Sequence, residues 1–79
     1  MNILKLLKNV LIEMIEEDID LTSVDRYEDK LTLNKKVSID SSDINKGIVE
    51  INDNNGSVYR SSTEEGIKKV IELLKSNES

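Results

Sequence analysis

The sequence predicts an α+β fold: a three-stranded antiparallel sheet flanked by an N-terminal and a C-terminal helix, in the order α-β-β-β-α. Three observations carry this expectation. Apolar residues recur with a helical period at both ends of the chain, they alternate with polar residues through its middle, and an Asn-Gly pair separates two β-branched runs.

The first helix is expected over about residues 2–17. At 100° per residue, Ile3, Leu4, Leu7, Val10, Leu11, Met14 and Ile15 fall on one broad face, with Lys5, Asn9, Glu13 and Glu16 opposite. Leu6 and Ile12 flank this arc and widen it beyond what a surface helix needs, so they are expected under loop residues or against another chain. The charges run against the helix dipole, lysines first and carboxylates last. That order costs a few tenths of a kcal/mol per group, which packing must outweigh.

Residues 18–30 show no clean period and many turn formers, which predicts an irregular acidic connection pinned by Ile19, Leu21, Val24 and Tyr27. Leu31, Leu33, Val37 and Ile39 then alternate with polar residues, broken only at Lys35. This reads as one long strand, or as two short ones turning at Asn34-Lys35-Lys36. A polar turn at Asp40-Ser41-Ser42-Asp43 leads on to the hairpin. Its Asn55-Gly56 pair predicts a two-residue turn with positive φ at both positions. In that register Val49, Ile51 and Val58 share one face while Ile48 and Tyr59 share the other, which leaves Tyr59 exposed if both helices cover the first face.

The last helix opens with a capping box, Ser62 followed three residues later by Glu65. Ile67, Val70, Ile71 and Leu74 form its buried stripe, and Glu64/Lys68, Glu65/Lys69 and Lys68/Glu72 are i,i+4 pairs facing water. Gly66 lies at the edge of the stripe, where a missing side chain suits close approach to the sheet.

The 79 residues suffice for a single domain spanning 1–79 with one thin core. The chain has neither Cys nor His, which removes disulfides, thiolate chemistry, Cys/His zinc sites and His-based acid–base catalysis. No nucleophile is set beside a base and no glycine loop could cradle a phosphate, so no enzyme activity and no cofactor are expected. Asp53, Asn55, Ser57 and Glu64 have calcium-loop offsets, but Val58 stands where the loop requires Gly, and a hairpin running into a helix cap explains them. The opening helix lacks the unbroken apolar run of a signal peptide or a membrane span, and the cytoplasm is the expected compartment.

The net charge of −5 repels nucleic acid and anionic membrane and favours basic protein surfaces. The excess belongs to one segment, which holds Glu13, Glu16, Glu17, Asp18, Asp20, Asp25, Glu28 and Asp29 with Arg26 as its only base. The alternative is a solvated helix end followed by a solvated loop. With Tyr59, these carboxylates are the candidate partner-binding residues. They point to a non-enzymatic interaction module that meets a larger protein with a basic surface.

Two resemblances bear on this. The run Ile48-Val49-Glu50-Ile51-Asn52-Asp53-Asn54-Asn55-Gly56-Ser57-Val58-Tyr59, continuing through a Ser-rich cap into an amphipathic helix, resembles the small acidic anti-CRISPR proteins of phages and prophages, of the Cas9-inhibitor type with an α-β-β-β-α core. That resemblance implies carboxylates that imitate DNA phosphates and occupy a basic channel on a CRISPR effector nuclease. The segment Val37-Ser38-Ile39-Asp40-Ser41 resembles the attachment site of acyl and peptidyl carrier proteins, which implies a prosthetic arm on Ser41; a turn serine is the leading explanation and the carrier reading the alternative. A third reading is a homo-oligomeric structural protein using Leu6, Ile12 and the uncovered sheet face.

Overall fold

A computed structural model describes residues 2–76. In chain order these form α1 (Ile3–Glu16), β1 (Val24–Tyr27), β2 (Lys30–Leu33), β3 (Val37–Asp40), a 3-10 turn (Ile44–Lys46), β4 (Ile48–Asp53), β5 (Val58–Ser62) and α2 (Thr63–Ser76). All strands are antiparallel and neighbours in sequence are neighbours in space, so the sheet is a five-stranded meander. The α+β class stands, and the expected three-stranded sheet is corrected to five strands.

Both extra strands have local causes. Residues 30–40 turn back on themselves because Asn34 and Lys35 both adopt positive φ, 53° and 55°, and the Lys36 N–H donates to the Leu33 carbonyl at 3.0 Å. Two consecutive left-handed residues make the primed turn that suits the twist of a hairpin. The acidic connection, in turn, contains β1, which pairs along its whole length with β2. All four of its side chains are exposed, so it carries no apolar alternation for a sequence pattern to detect.

The hairpin between β4 and β5 exists as expected, but in a different register. Ile51 pairs with Tyr59 and Asn52 with Val58, across a loop of Asn54, Asn55 and Gly56. Of the loop residues only Gly56 has positive φ, at 87°. The Asp53 carboxylate holds this longer loop by accepting from the N–H groups of Asn55 (2.8 Å) and Ser57 (3.0 Å). A one-residue slip sends every side chain of β5 to the opposite face. Val58 therefore lies on the open face, and Tyr59 on the helix-covered one.

Helix α1 starts where the Asn2 side chain accepts the Lys5 N–H at 2.9 Å. Its inward seam is Leu6, Val10 and Met14, so Leu6 is central to the core rather than peripheral, while Leu4 and Ile15 point to solvent. The rotation is fixed at the helix exit, where Asp18 turns left-handed, the Ile19 N–H bonds the Met14 carbonyl at 2.9 Å, and Ile19 is buried. Helix α2 begins as the capping motif requires, with Ser62 Oγ accepting the Glu65 N–H at 3.3 Å. It buries Val70, Ile71 and Leu74 against Leu33, Val37, Ile39, Val49 and Ile51. Both helices thus feed one core on one face of the sheet.

Candidate functional site

The uncovered face is largely polar, with Val58 and Ile48 as its apolar members. One cross-strand row on it runs Tyr27, Lys30, Asp40, Glu50 and Arg60. The Arg60 guanidinium pairs with Glu50 at 3.0 Å and with Asp43 at 2.8 Å, and these acceptors, Asp43 first, raise its pKa above the ordinary value. At the other end of the row Tyr27 stands 76% exposed.

Around Tyr27 the β1–β2 turn and the end of β3 form a corner. Glu28, at φ 54°, and Asp29 make the turn. The Asp29 carbonyl accepts both the N–H (2.8 Å) and the hydroxyl (2.7 Å) of Ser41, which ties the turn to the residue that follows β3. The Asp40 carboxylate accepts the Ser42 N–H at 3.0 Å, and this bond is the main cause of a pKa below the ordinary carboxylate value. Tyr27, Glu28, Asp29, Lys30, Asp40 and Ser42 line a depression of about 320 Å³ at this corner. Three acidic residues and one lysine thus share this depression with an exposed tyrosine. Among the described residues no group of acids could hold a metal ion.

The eight segment acids are not gathered into one patch. Glu13 faces the cleft between the helices, shared with Ile67 and Lys68. Glu16 is exposed on α1, Asp18 turns the chain out of it, and Glu17 is paired with Lys75 at 2.7 Å. The backbone of Asp20, Thr22 and Ser23 is bound by the Asn34 side chain, at the end of β2 remote from Lys30. The length of β1, roughly 10 Å, therefore separates this acidic end from Glu28 and Asp29. Asp25 projects between them onto the open face, opposite Thr32. Of the expected residues, the fold brings only Glu28 and Asp29 together, and it adds Asp40 and Tyr27.

Tyr59 is not a solvent-facing anchor. Its ring is packed against the core with Lys69 Nζ 4.2 Å from its centroid, and its hydroxyl donates to Asp53 at 3.5 Å. Ser41 is only 4% exposed and its hydroxyl is committed to Asp29, so it acts as a turn anchor and presents no free hydroxyl to a prosthetic arm. Leu6, being buried, cannot serve an oligomer contact.

Tyr27, Asp40 and Lys30 were the functional candidates that sequence reasoning missed. The signal was the two-residue spacing of Asp25 and Tyr27 across from Thr32 and Lys30, legible only once β1 is recognised as a strand. No family model, curated protein or solved structure matches the chain. No helix among the described residues is long and apolar enough to cross a membrane.

Proposed function

We propose that this chain is a non-enzymatic interaction module whose Tyr27 corner receives a basic side chain, foremost an arginine, from the surface of a larger protein. The observation that carries the reading is the exposed Tyr27 in one depression with Glu28, Asp29 and Asp40. A guanidinium stacks on an aromatic face and pairs with carboxylates through its planar fork, and tyrosine anchors of this kind dominate interface energetics. Such a partner presents a surface of the type that binds nucleic acid, and in the phage-inhibitor form of the reading the corner competes with phosphates for that surface in the host cytoplasm.

Titration with an arginine-rich peptide at low salt and at about 0.5 M salt tests the reading. Binding should weaken strongly with salt, and Tyr27→Ala and Glu28→Lys should each reduce it about tenfold or more. Asp20→Lys, at the other end of β1, should matter far less. Salt-insensitive binding, or a greater loss from Asp20→Lys than from Glu28→Lys, overturns it. The inhibitor form adds a requirement: the protein must displace DNA from the partner nuclease in a competition assay.

A further inference from the structure

We infer that two copies of this chain associate through the outward face of α1, with the two helices antiparallel. The face is defined by what the core leaves over. With Leu6, Val10 and Met14 turned inward, Leu4 and Ile15 remain 64% and 77% exposed, and Ile12 is 41% exposed. Leu4 and Ile15 lie within an arc of roughly 40° along the flank of the helix together with Leu11, which is half-buried against the core. An apolar stripe of this length on one helix is the geometry of a helix–helix seam.

The charges beside the stripe select the occupant and its direction. α1 has no acid in its first turn and no base in its last, the reverse of what its dipole favours. Lys5 and Lys8 crowd the amino end and Glu16 the carboxyl end; all three are exposed, and none has an ion-pair partner among the described residues. Lys5 and Glu16 also lie on the same flank of the helix. An antiparallel second copy supplies each end with the charge it lacks: lysines of one chain come against Glu16 and the terminal carbonyls of the other. The same arrangement sets Leu4 of one chain over Ile15 of the other. A two-fold axis makes both contacts at once, because such an interface is self-complementary. A parallel pair would instead oppose Lys5 to Lys5 and Glu16 to Glu16.

The seam uses no residue of the Tyr27 corner, which is on the other side of the sheet, so the two proposals fail separately. Sedimentation of the full chain from about 1 to 500 μM tests this one, a range chosen because a single helix seam is smaller than a standard interface. The mass should rise from monomer to dimer across the range. Ile15→Glu should hold it at monomer with an unchanged circular dichroism spectrum. Lys5→Glu and Glu16→Lys should each weaken association, and the double swap Lys5→Glu/Glu16→Lys should restore it, since it rebuilds the opposite-charge pair only in the antiparallel arrangement. As the chain has no cysteine of its own, a mixture of Leu4→Cys and Ile15→Cys chains gives a second readout. Disulfides joining unlike chains are expected. Like-chain disulfides, a monomer at every concentration, or a double swap no better than the singles overturns the inference.

Discussion

The carbonyl oxygen of Asp29 receives two hydrogen bonds from one residue, the backbone N–H and the side-chain hydroxyl of Ser41, at 2.8 and 2.7 Å. This double contact joins the first hairpin to the chain leaving β3 and fixes the height of Glu28 and Asp29 beside Tyr27. Ser41→Ala keeps one bond and loses the other. It should cost about 1 kcal/mol, seen as a lower urea midpoint, and should weaken peptide binding although the residue is buried. Incubating the wild-type protein with a phosphopantetheinyl transferase should leave its intact mass unchanged. A mass gain would mean that the Ser41 hydroxyl leaves Asp29 readily enough to react.

Gly66 is where α2 touches the sheet. A Cβ added there would overlap Val49 Cγ2 and lie against Ser61 Oγ and Ile51 Cδ1, at 3.5 and 3.6 Å. Gly66→Ala therefore sets a helix-propensity gain of about 1 kcal/mol against overpacking of about 1–3 kcal/mol. Because the clash is with a short, stiff valine in a central strand, overpacking wins. Thermal denaturation should show a lower midpoint, and Val49→Ala combined with Gly66→Ala should cost less than the sum of the two single changes. A raised midpoint for Gly66→Ala would contradict the close approach.

Neighbouring residues of the β2–β3 turn should respond with opposite signs. Asn34 accepts from Thr22 N (2.6 Å), Thr22 Oγ1 (3.1 Å) and Ser23 N (3.3 Å) and donates to the Asp20 carbonyl (2.8 Å). Asn34→Gly keeps the left-handed backbone but removes this clamp, at a cost of about 2 kcal/mol. Lys35 has the same left-handed backbone and an exposed side chain, so Lys35→Gly should stabilise by about 0.5 kcal/mol, relief of strain exceeding the added chain entropy. Chemical denaturation of both variants decides the matter, and like signs would contradict it.

Asp40 makes stability depend on acidity. Its folded-state pKa is lowered, chiefly by the Ser42 N–H, from an ordinary value of 3.8. A depressed carboxyl contributes stability that is fully present above the unfolded value and is lost as pH falls through the folded one. The loss should begin near pH 4 and continue below it. In Asp40→Asn this part of the slope should vanish from a stability–pH profile, while the profile above pH 5 keeps its shape.

Much of this fold could be read from residue order where burial is one-sided. The stripe Ile67, Val70, Ile71 and Leu74 and the alternation of Leu31, Leu33, Val37 and Ile39 both mark faces that the core covers or half-covers. Two features escaped and a third was left open, each for a physical reason. β1 has no buried side chain and thus no pattern. The turn at Asn34-Lys35 was one of two alternatives, because its left-handed residues lack the glycine that usually announces them. The register of the last hairpin was decided by the Asp53 carboxylate, whose two bonds stabilise a loop one residue longer than Asn-Gly suggests. The candidate site followed from these misses. Segment charge pointed to Glu28 and Asp29, but their companions Tyr27 and Asp40 come together only through strand pairing.

The weak tether of β1 has a further consequence. This strand contributes no residue to the core cluster and pairs with a single neighbour. The remaining elements keep their whole apolar interior if it peels away, so amide exchange in β1 should run ahead of global unfolding. The proposed recognition corner hangs from that same strand. Whatever docks on Tyr27 should therefore slow exchange along residues 24–27 and leave the protection of β4 nearly untouched. Occupancy could be followed in the intact protein, without any label, by watching one edge of the sheet grow quiet.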